Sequence, residues 1–420
     1  MKKFLALLLA LVMALSLVAC GDESATTPVN DGESSGTESE GNVLTVGLVL
    51  IGSESDQGYT FNFMRGFEKA AENMKAEGVE VKYIPKWNIG EDDGCETANL
   101  ELAEAGCDII INNSYGFEPY MLKVAPDYPD ILFLSCTNMA SAMDNLDNTI
   151  NAFANIYEGR YVAGVVAGMK LNQMIEEGTI TADEAVIGYV GAFTFAEVLS
   201  GYTAYYLGAK SVCPSVTMHL NFVGSWSDPT LEANAAQALI DEGCVLISQH
   251  SDNTTPATVA QENHVFHTGY NNAMDDVAPD ASIISTRIDW SIYFTELYKD
   301  FLAGGIAACP VDWSKGFADD AVVLTDLNEK IAAPGTKEAV EKAIADIKSG
   351  AIKVFDTKNF TVEGKAPTEL LADLDGDFTP ETNVVENGVF MESDVAAGRP
   401  SAPYFAIQID GITLDNVNFG

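Results

Sequence analysis

The chain has 420 residues, 47% of them apolar, with 35 Gly and 15 Pro, which suffices for two domains with filled cores and excludes a fibrous or wholly disordered protein. The 22 Lys and Arg against 62 Asp and Glu give a formal charge of −40, which argues against a surface that grips nucleic acid or anionic lipid by releasing counterions. A small neutral or cationic ligand shielded inside a pocket is compatible with such a charge.

In chain order, Met1-Lys2-Lys3 supplies a basic start, and Phe4 to Val18 is an apolar run of signal-peptide length, shorter than the run of about eighteen or more that marks a membrane span. It ends in Leu17-Val18-Ala19-Cys20-Gly21, which resembles the lipobox of bacterial lipoproteins. That resemblance implies a signal peptide over residues 1–19, a lipidated Cys20 and attachment at the outer face of the cell membrane. Residues 20–42 hold Asp22, Glu23, Asp31, Glu33, Glu38 and Glu40 among Gly, Ser and Thr, and read as a self-repelling flexible tether. The remaining cysteines, Cys95, Cys107, Cys136, Cys213, Cys244 and Cys309, stand singly in apolar contexts and read as buried free thiols.

From Val43 to Ile51 the near-continuous apolar run predicts a strand buried on both faces of a parallel sheet. A helix is predicted next, with Phe63, Phe67, Ala70, Ala71 and Met74 at three-and-four spacing and a stop at Gly78. Strands follow at Val79 to Ile84, Asp108 to Asn112 and Ile131 to Leu134, with a helical stretch from Asn99 to Glu104 between the first two. A second series starts with a long helix, Tyr157 to Met174, whose Ala163, Gly164, Ala167 and Gly168 permit close packing. It continues as strands Ala185 to Val190, Val216 to Phe222 and Val245 to Ser248, each followed by a helix: one through Tyr206, then Thr230 to Ile240 and Thr255 to Glu262. Beyond Ile283 the pattern is mixed, with helices Trp290 to Leu302 and Lys337 to Ser349 and a strand near Val322 to Thr325. Two alternating series imply an α/β protein of two doubly wound lobes with a cleft at the carboxyl ends of the strands.

No phosphate-binding or dinucleotide glycine motif, no nucleophile elbow and no H-E-x-x-H occurs, and no His sits at metal-ligand spacing, so no cofactor, metal or catalytic residue is assigned. With 4 His and 62 carboxylates a surface hydrolase stays open as an alternative, because a catalytic acid pair cannot be picked from so many. Asp373-Leu-Asp-Gly-Asp-Phe-Thr-Pro-Glu381 looks like a calcium loop, but its Gly and Glu are misplaced, and a solvated acidic turn is favoured.

Polar and aromatic residues gather where predicted strands end. Asp56, Gly58 and Tyr59 follow the first strand; Asn112, Ser114, Tyr115 and Phe117 follow the third. In the second series Phe193, Trp226, His250 with Asp252, and Tyr270 with Asn271 stand at equivalent exits. Such walls suit flat, heteroatom-rich ligands, since rings stack on aromatics while amides and carboxylates bond to ring nitrogens.

These segments carry a resemblance. Gly47-Leu-Val-Leu with Asp56 and Gly66, Tyr157-Glu-Gly-Arg-Tyr-Val-Ala-Gly164, Phe193-Thr-Phe-Ala-Glu197-Val198, Phe222-Val-Gly-Ser-Trp226-Ser-Asp-Pro229, Gln249-His-Ser-Asp252 and Gly269-Tyr-Asn271 are similar to blocks of the basic membrane protein (PnrA-like) family of substrate-binding lipoproteins. The resemblance runs from about Val43 to Thr325. It implies a type I periplasmic-binding fold, acting as a monomer, that delivers a purine nucleoside or base to ABC permease subunits. It further implies that Asp56 binds the base, that Tyr59 and Trp226 stack on it from opposite lobes, and that Ser114, Tyr115 and Phe117 line one wall and His250 and Asp252 the other. Asn271 and Ile288 stand where nucleoside-binding members carry an Asp and a Lys for ribose. Tyr270, Asn271 and Trp290 instead resemble a branch suited to a bare base or another flat heterocycle. A sugar or an amino acid is the alternative solute. Lobe 1 is expected over residues 43–153 and about 286–325, and lobe 2 over 154–285 with part of 326–420.

Overall fold

The computed structural model of the protein describes residues 42–53, 55–138, 146–377 and 379–416. The expected signal peptide, the lipidated Cys20 and nearly all of the tether lie outside the described residues. No helix among the described residues is long and apolar enough to cross a membrane.

The apolar runs form two sheets. In the first, β1 (Asn42–Val49), β2 (Val79–Lys86), β3 (Ile109–Asn112), β4 (Leu132–Ser135) and β5 (Thr149–Ala152) pair in parallel in the order β2-β1-β3-β4-β5. Every residue of β3, β4 and β5 is buried, as the continuous apolar pattern requires. In the second, β6 (Val186–Gly191), β7 (Thr217–Phe222), β8 (Leu246–Gln249), β9 (Phe266–Tyr270) and β10 (Ser282–Ile288) repeat that order as β7-β6-β8-β9-β10, again in parallel. In each sheet the order reverses beside the first strand, which opens a crevice at the strand carboxyl ends.

Helices cover the sheets: α1 (Tyr59–Ala76), α2 (Asp93–Glu104) and α3 (Glu118–Val124) in the first series, and α4 (Ile156–Glu176), α5 (Ala196–Val212), α6 (Pro229–Asp241) and α7 (Thr255–Glu262) in the second. α2 starts earlier than its apolar spacing suggests because Asp92 caps it, its side chain accepting from Gly94 N–H. The small residues of α4 serve as expected: a Cβ on Gly164 would lie 1.9 Å from the Tyr205 carbonyl oxygen of α5.

The expected first-lobe block 286–325 divides between the sheets. α8 (Trp290–Gly304) packs on α1, and Asp312–Trp313 extends the first sheet beside β5. β10, however, belongs to the second sheet, and Val322–Leu324 pairs with it in antiparallel fashion. The chain thus crosses from the second sheet to the first and back, which a single boundary cannot describe. After α9 (Thr336–Lys348) the chain touches both lobes. Ser401 N–H donates to Asp312 at 2.6 Å, while Ile412–Leu414 adds a parallel strand beside β7. The six cysteines of the described residues are free and buried.

Candidate functional site

The carboxyl ends of the two sheets meet around a small cavity. Tyr59 at the start of α1, Ser114 and Tyr115 beyond β3, and Cys136 and Thr137 beyond β4 line it from the first lobe. Glu197 near the start of α5, Trp226 beyond β7, His250 and Asp252 beyond β8, and Tyr270 at the end of β9 line it from the second. A wider groove lies alongside and shares Ile51, Trp226 and Asp252 with it.

The lobes are in contact across this space. Tyr59 N–H donates to Asp252 Oδ1 at 3.2 Å, and Trp226 Nε1–H donates to Glu91 Oε1 at 3.2 Å. The Tyr115 ring stacks on Phe195 with centroids 4.7 Å apart. Farther out, Arg65 donates to Asn272 Oδ1 at 2.7 Å. Gly58 permits the approach, since a Cβ there would lie 2.1 Å from the Asp252 carbonyl oxygen.

The second-lobe wall is a buried polar chain. Arg160 Nη1 donates to the Gln249 carbonyl at 2.9 Å, Nη2 lies 3.1 Å from His250 Nδ1, and the guanidinium sits 3.4 Å from the centre of the Tyr270 ring. His250 Nε2 in turn lies 2.6 Å from Glu197 Oε2. Burial holds the imidazole below its usual range; Arg160 pushes the same way and Glu197 opposes them. Burial also pushes the Asp252 carboxyl well above the usual carboxylate range, reinforced by Asp56, Glu197 and Glu232 and opposed by the Tyr59 N–H.

Seven of the twelve expected site residues line the cavity: Tyr59, Ser114, Tyr115, Trp226, His250, Asp252 and Tyr270. Five do not. Asp56 lies on the outer groove, its Oδ1 accepting from Gly58 and Phe61 N–H in the turn into α1. Phe193 also lines the groove and packs on Trp226 with centroids 4.9 Å apart. Phe117 turns away into the core beneath α2, among Cys95, Met121 and Phe133, because its short helix carries the ring to the far side of β3. Asn271 is fully buried and donates to Asp252 Oδ1 at 3.3 Å. Trp290, also fully buried, stacks on Phe294 and contacts Tyr59 edge-on, backing the wall.

Sequence reasoning missed Glu197, Glu91, Arg160 and Phe195. Arg160 had a signal, being a basic residue that follows Glu158 in the first turns of the otherwise largely apolar α4 and stands in a block of the resemblance. Phe195 repeats the aromatic pattern of Phe193. Glu197 lies in a block of the resemblance, Phe193 to Val198, that assigned it no role, and Glu91 carries nothing that separates it from the other acids.

A family model described as ABC transporter substrate-binding protein, PnrA-like, matches residues 43–358. That stretch contains every block on which the resemblance rested. A purine-binding protein of Brucella abortus is 31% identical over 74% of this chain and 83% of its own length. A protein of Haloferax volcanii, named as an ABC transporter glucose-binding protein with that assignment provisional, is 29% identical over 65% of this chain and 68% of its own. Among solved structures, a solute-binding protein of an Aeropyrum pernix ABC transporter system superposes with a TM-score of 0.61 at 18% identity, covering 77% of this chain and 94% of that one. A counterpart from Conexibacter woesei gives a TM-score of 0.57 at 20% identity over 74% and 97%. These likenesses carry the two-lobed solute-binding fold.

Proposed function

Because this chain belongs to the PnrA-like family of ABC transporter substrate-binding proteins, whose importer members work outside the cytoplasm, we propose that its cleft captures a purine base or purine nucleoside and that closure presents the loaded protein to a membrane permease. The observation that carries the reading is the cavity itself. Tyr59 and Tyr115 from one lobe and Trp226 and Tyr270 from the other line a single space that also holds the buried carboxyls of Asp252 and Glu197. Aromatic faces with a few buried polar groups suit a flat heterocycle. The likeness to a protein named as purine-binding supports the same ligand class.

The base is favoured over the nucleoside. Ile288, where nucleoside-binding relatives would carry a Lys, is buried in the core, and Asn271 is bonded to Asp252. A ligand touching both lobes stabilises the closed state by its differential affinity. Lipidated Cys20 and the acidic tether would hold the receptor near its permease and raise its effective concentration there.

Thermal shift of protein stripped of copurified ligand by denaturing and refolding tests the reading, with purine bases, nucleosides, hexoses and amino acids as the panel. A ligand at about a hundred times its Kd adds about 2.7 kcal/mol. A raised midpoint with purines alone supports the proposal. A rise with a hexose alone overturns the substrate and leaves the family standing.

A further inference from the structure

We propose that Glu197 is the specificity residue of the cavity, its free carboxylate oxygen accepting a hydrogen bond from an N–H on the edge of the bound heterocycle. This inference rests on the purine reading above. Glu197 is the second residue of α5, lines the cavity and has a side chain only 9% exposed. Its Oε2 is taken by His250 Nε2 at 2.6 Å. The direction of that bond follows from the next one. Arg160 Nη2 lies 3.1 Å from His250 Nδ1, and a guanidinium can only donate, so Nδ1 accepts and the ring hydrogen sits on Nε2, aimed at Glu197. Arg160 is itself held by the Gln249 carbonyl and the Tyr270 ring.

Donation therefore runs one way, from Arg160 through His250 to Glu197. Among the described residues the hydrogen bond of the Glu197 carboxylate is made by Oε2. Oε1 is not itself fully buried and keeps an open direction, and the side chain lines the cavity. A ring-nitrogen lone pair or a carbonyl placed there would meet a like partial charge. An N–H would complete the chain with a charge-assisted bond. The ligand class is thus a flat heterocycle with an unsubstituted amino or lactam N–H on the edge facing α5.

The test is calorimetry on the full chain in detergent, stripped of ligand, with two probe pairs: adenine against N6,N6-dimethyladenine, and hypoxanthine against 1-methylhypoxanthine. The wild type should prefer the N–H member of at least one pair by about tenfold or more, as expected of a lost hydrogen bond to a charged group. Glu197→Gln should erase that preference. His250 Nε2–H would hold the amide oxygen and turn the amide NH2 toward the ligand, setting donor against donor. A merely structural role for Glu197 would weaken both members of a pair alike. Equal wild-type affinities within both pairs overturn the inference without any variant, and so does a folded Glu197→Gln that keeps the preference. Purine binding without discrimination overturns this inference alone, whereas no purine binding by the wild type overturns the purine reading and this inference with it.

Discussion

Replacing Trp226 by alanine tests whether closure over the ligand depends on the aromatic contact between lobes. The indole Nε1–H donates to Glu91 Oε1 at 3.2 Å, the ring packs on Phe193 at 4.9 Å, and the same residue lines the cavity. A hydrogen bond to a carboxylate contributes about 1.5–3 kcal/mol, and partial exposure of both groups puts this one at the low end. Loss of an aromatic face against a planar ligand adds about 0.5–1.5 kcal/mol. Together these come to about 2–3 kcal/mol, or roughly 30- to 150-fold in Kd. Trp226→Phe keeps a ring face and removes only the Nε1–H, so it should weaken binding about tenfold. Isothermal calorimetry on stripped protein with the tightest-binding purine reads both values. A Trp226→Ala dissociation constant equal to that of the wild type would refute the reasoning, and a Phe variant as weak as Ala would assign the whole effect to the hydrogen bond.

Gly58→Ala should hinder closure rather than folding, because its Cβ would meet the Asp252 backbone at 2.1 Å only when the lobes are together. Ligand affinity should fall while the melting midpoint of ligand-free protein changes little; an unchanged affinity would show that the approach is not needed. Gly164→Ala should instead act on folding, since its Cβ would lie 1.9 Å from a backbone oxygen of α5; overpacking of this kind costs about 1–3 kcal/mol, read as a lowered urea midpoint. Burial pushes Glu158 and Glu392 from the ordinary 4.5 up to about 7, so the folded state keeps protons that the unfolded chain releases; their stabilisation is full below about pH 4.5 and is lost by about pH 7, on the order of 3 kcal/mol each. Urea midpoints should fall as pH rises through that window and Glu158→Gln should reduce the slope, whereas a slope unaffected by the variant would count against its buried proton.

What could be read from the sequence was what depends on local pattern. The apolar run before Ile51, the three-and-four spacing of Phe63, Phe67 and Met74, and the small residues of α4 each need only near neighbours to be interpreted, and each stands where it was expected. The short strands Thr149–Ala152 and Asp312–Trp313 and the seven-residue α3 escaped because they carry too few residues for a period; pairing partners distant in sequence define them. Phe117 marks the limit of reasoning from strand exits. It follows the right strand, but one short helical turn decides which side of the sheet receives the ring.

Glu197 illustrates a deeper reason. Its block, Phe193 to Val198, carries the family resemblance, but nothing local assigns a role to this acid among the 62 of the chain. Its role emerges only when the fold brings His250, 53 residues away, against one oxygen, and sets Arg160, 90 residues from that histidine, behind the ring. The orientation of each hydrogen bond is then forced by the group that cannot accept, and the consequence passes along the chain to the oxygen left facing the cavity. The aromatic walls were legible because stacking needs only a residue type at a strand end. Hydrogen-bond polarity belongs to the network, so the part of the site that selects among flat ligands had to be read from three dimensions.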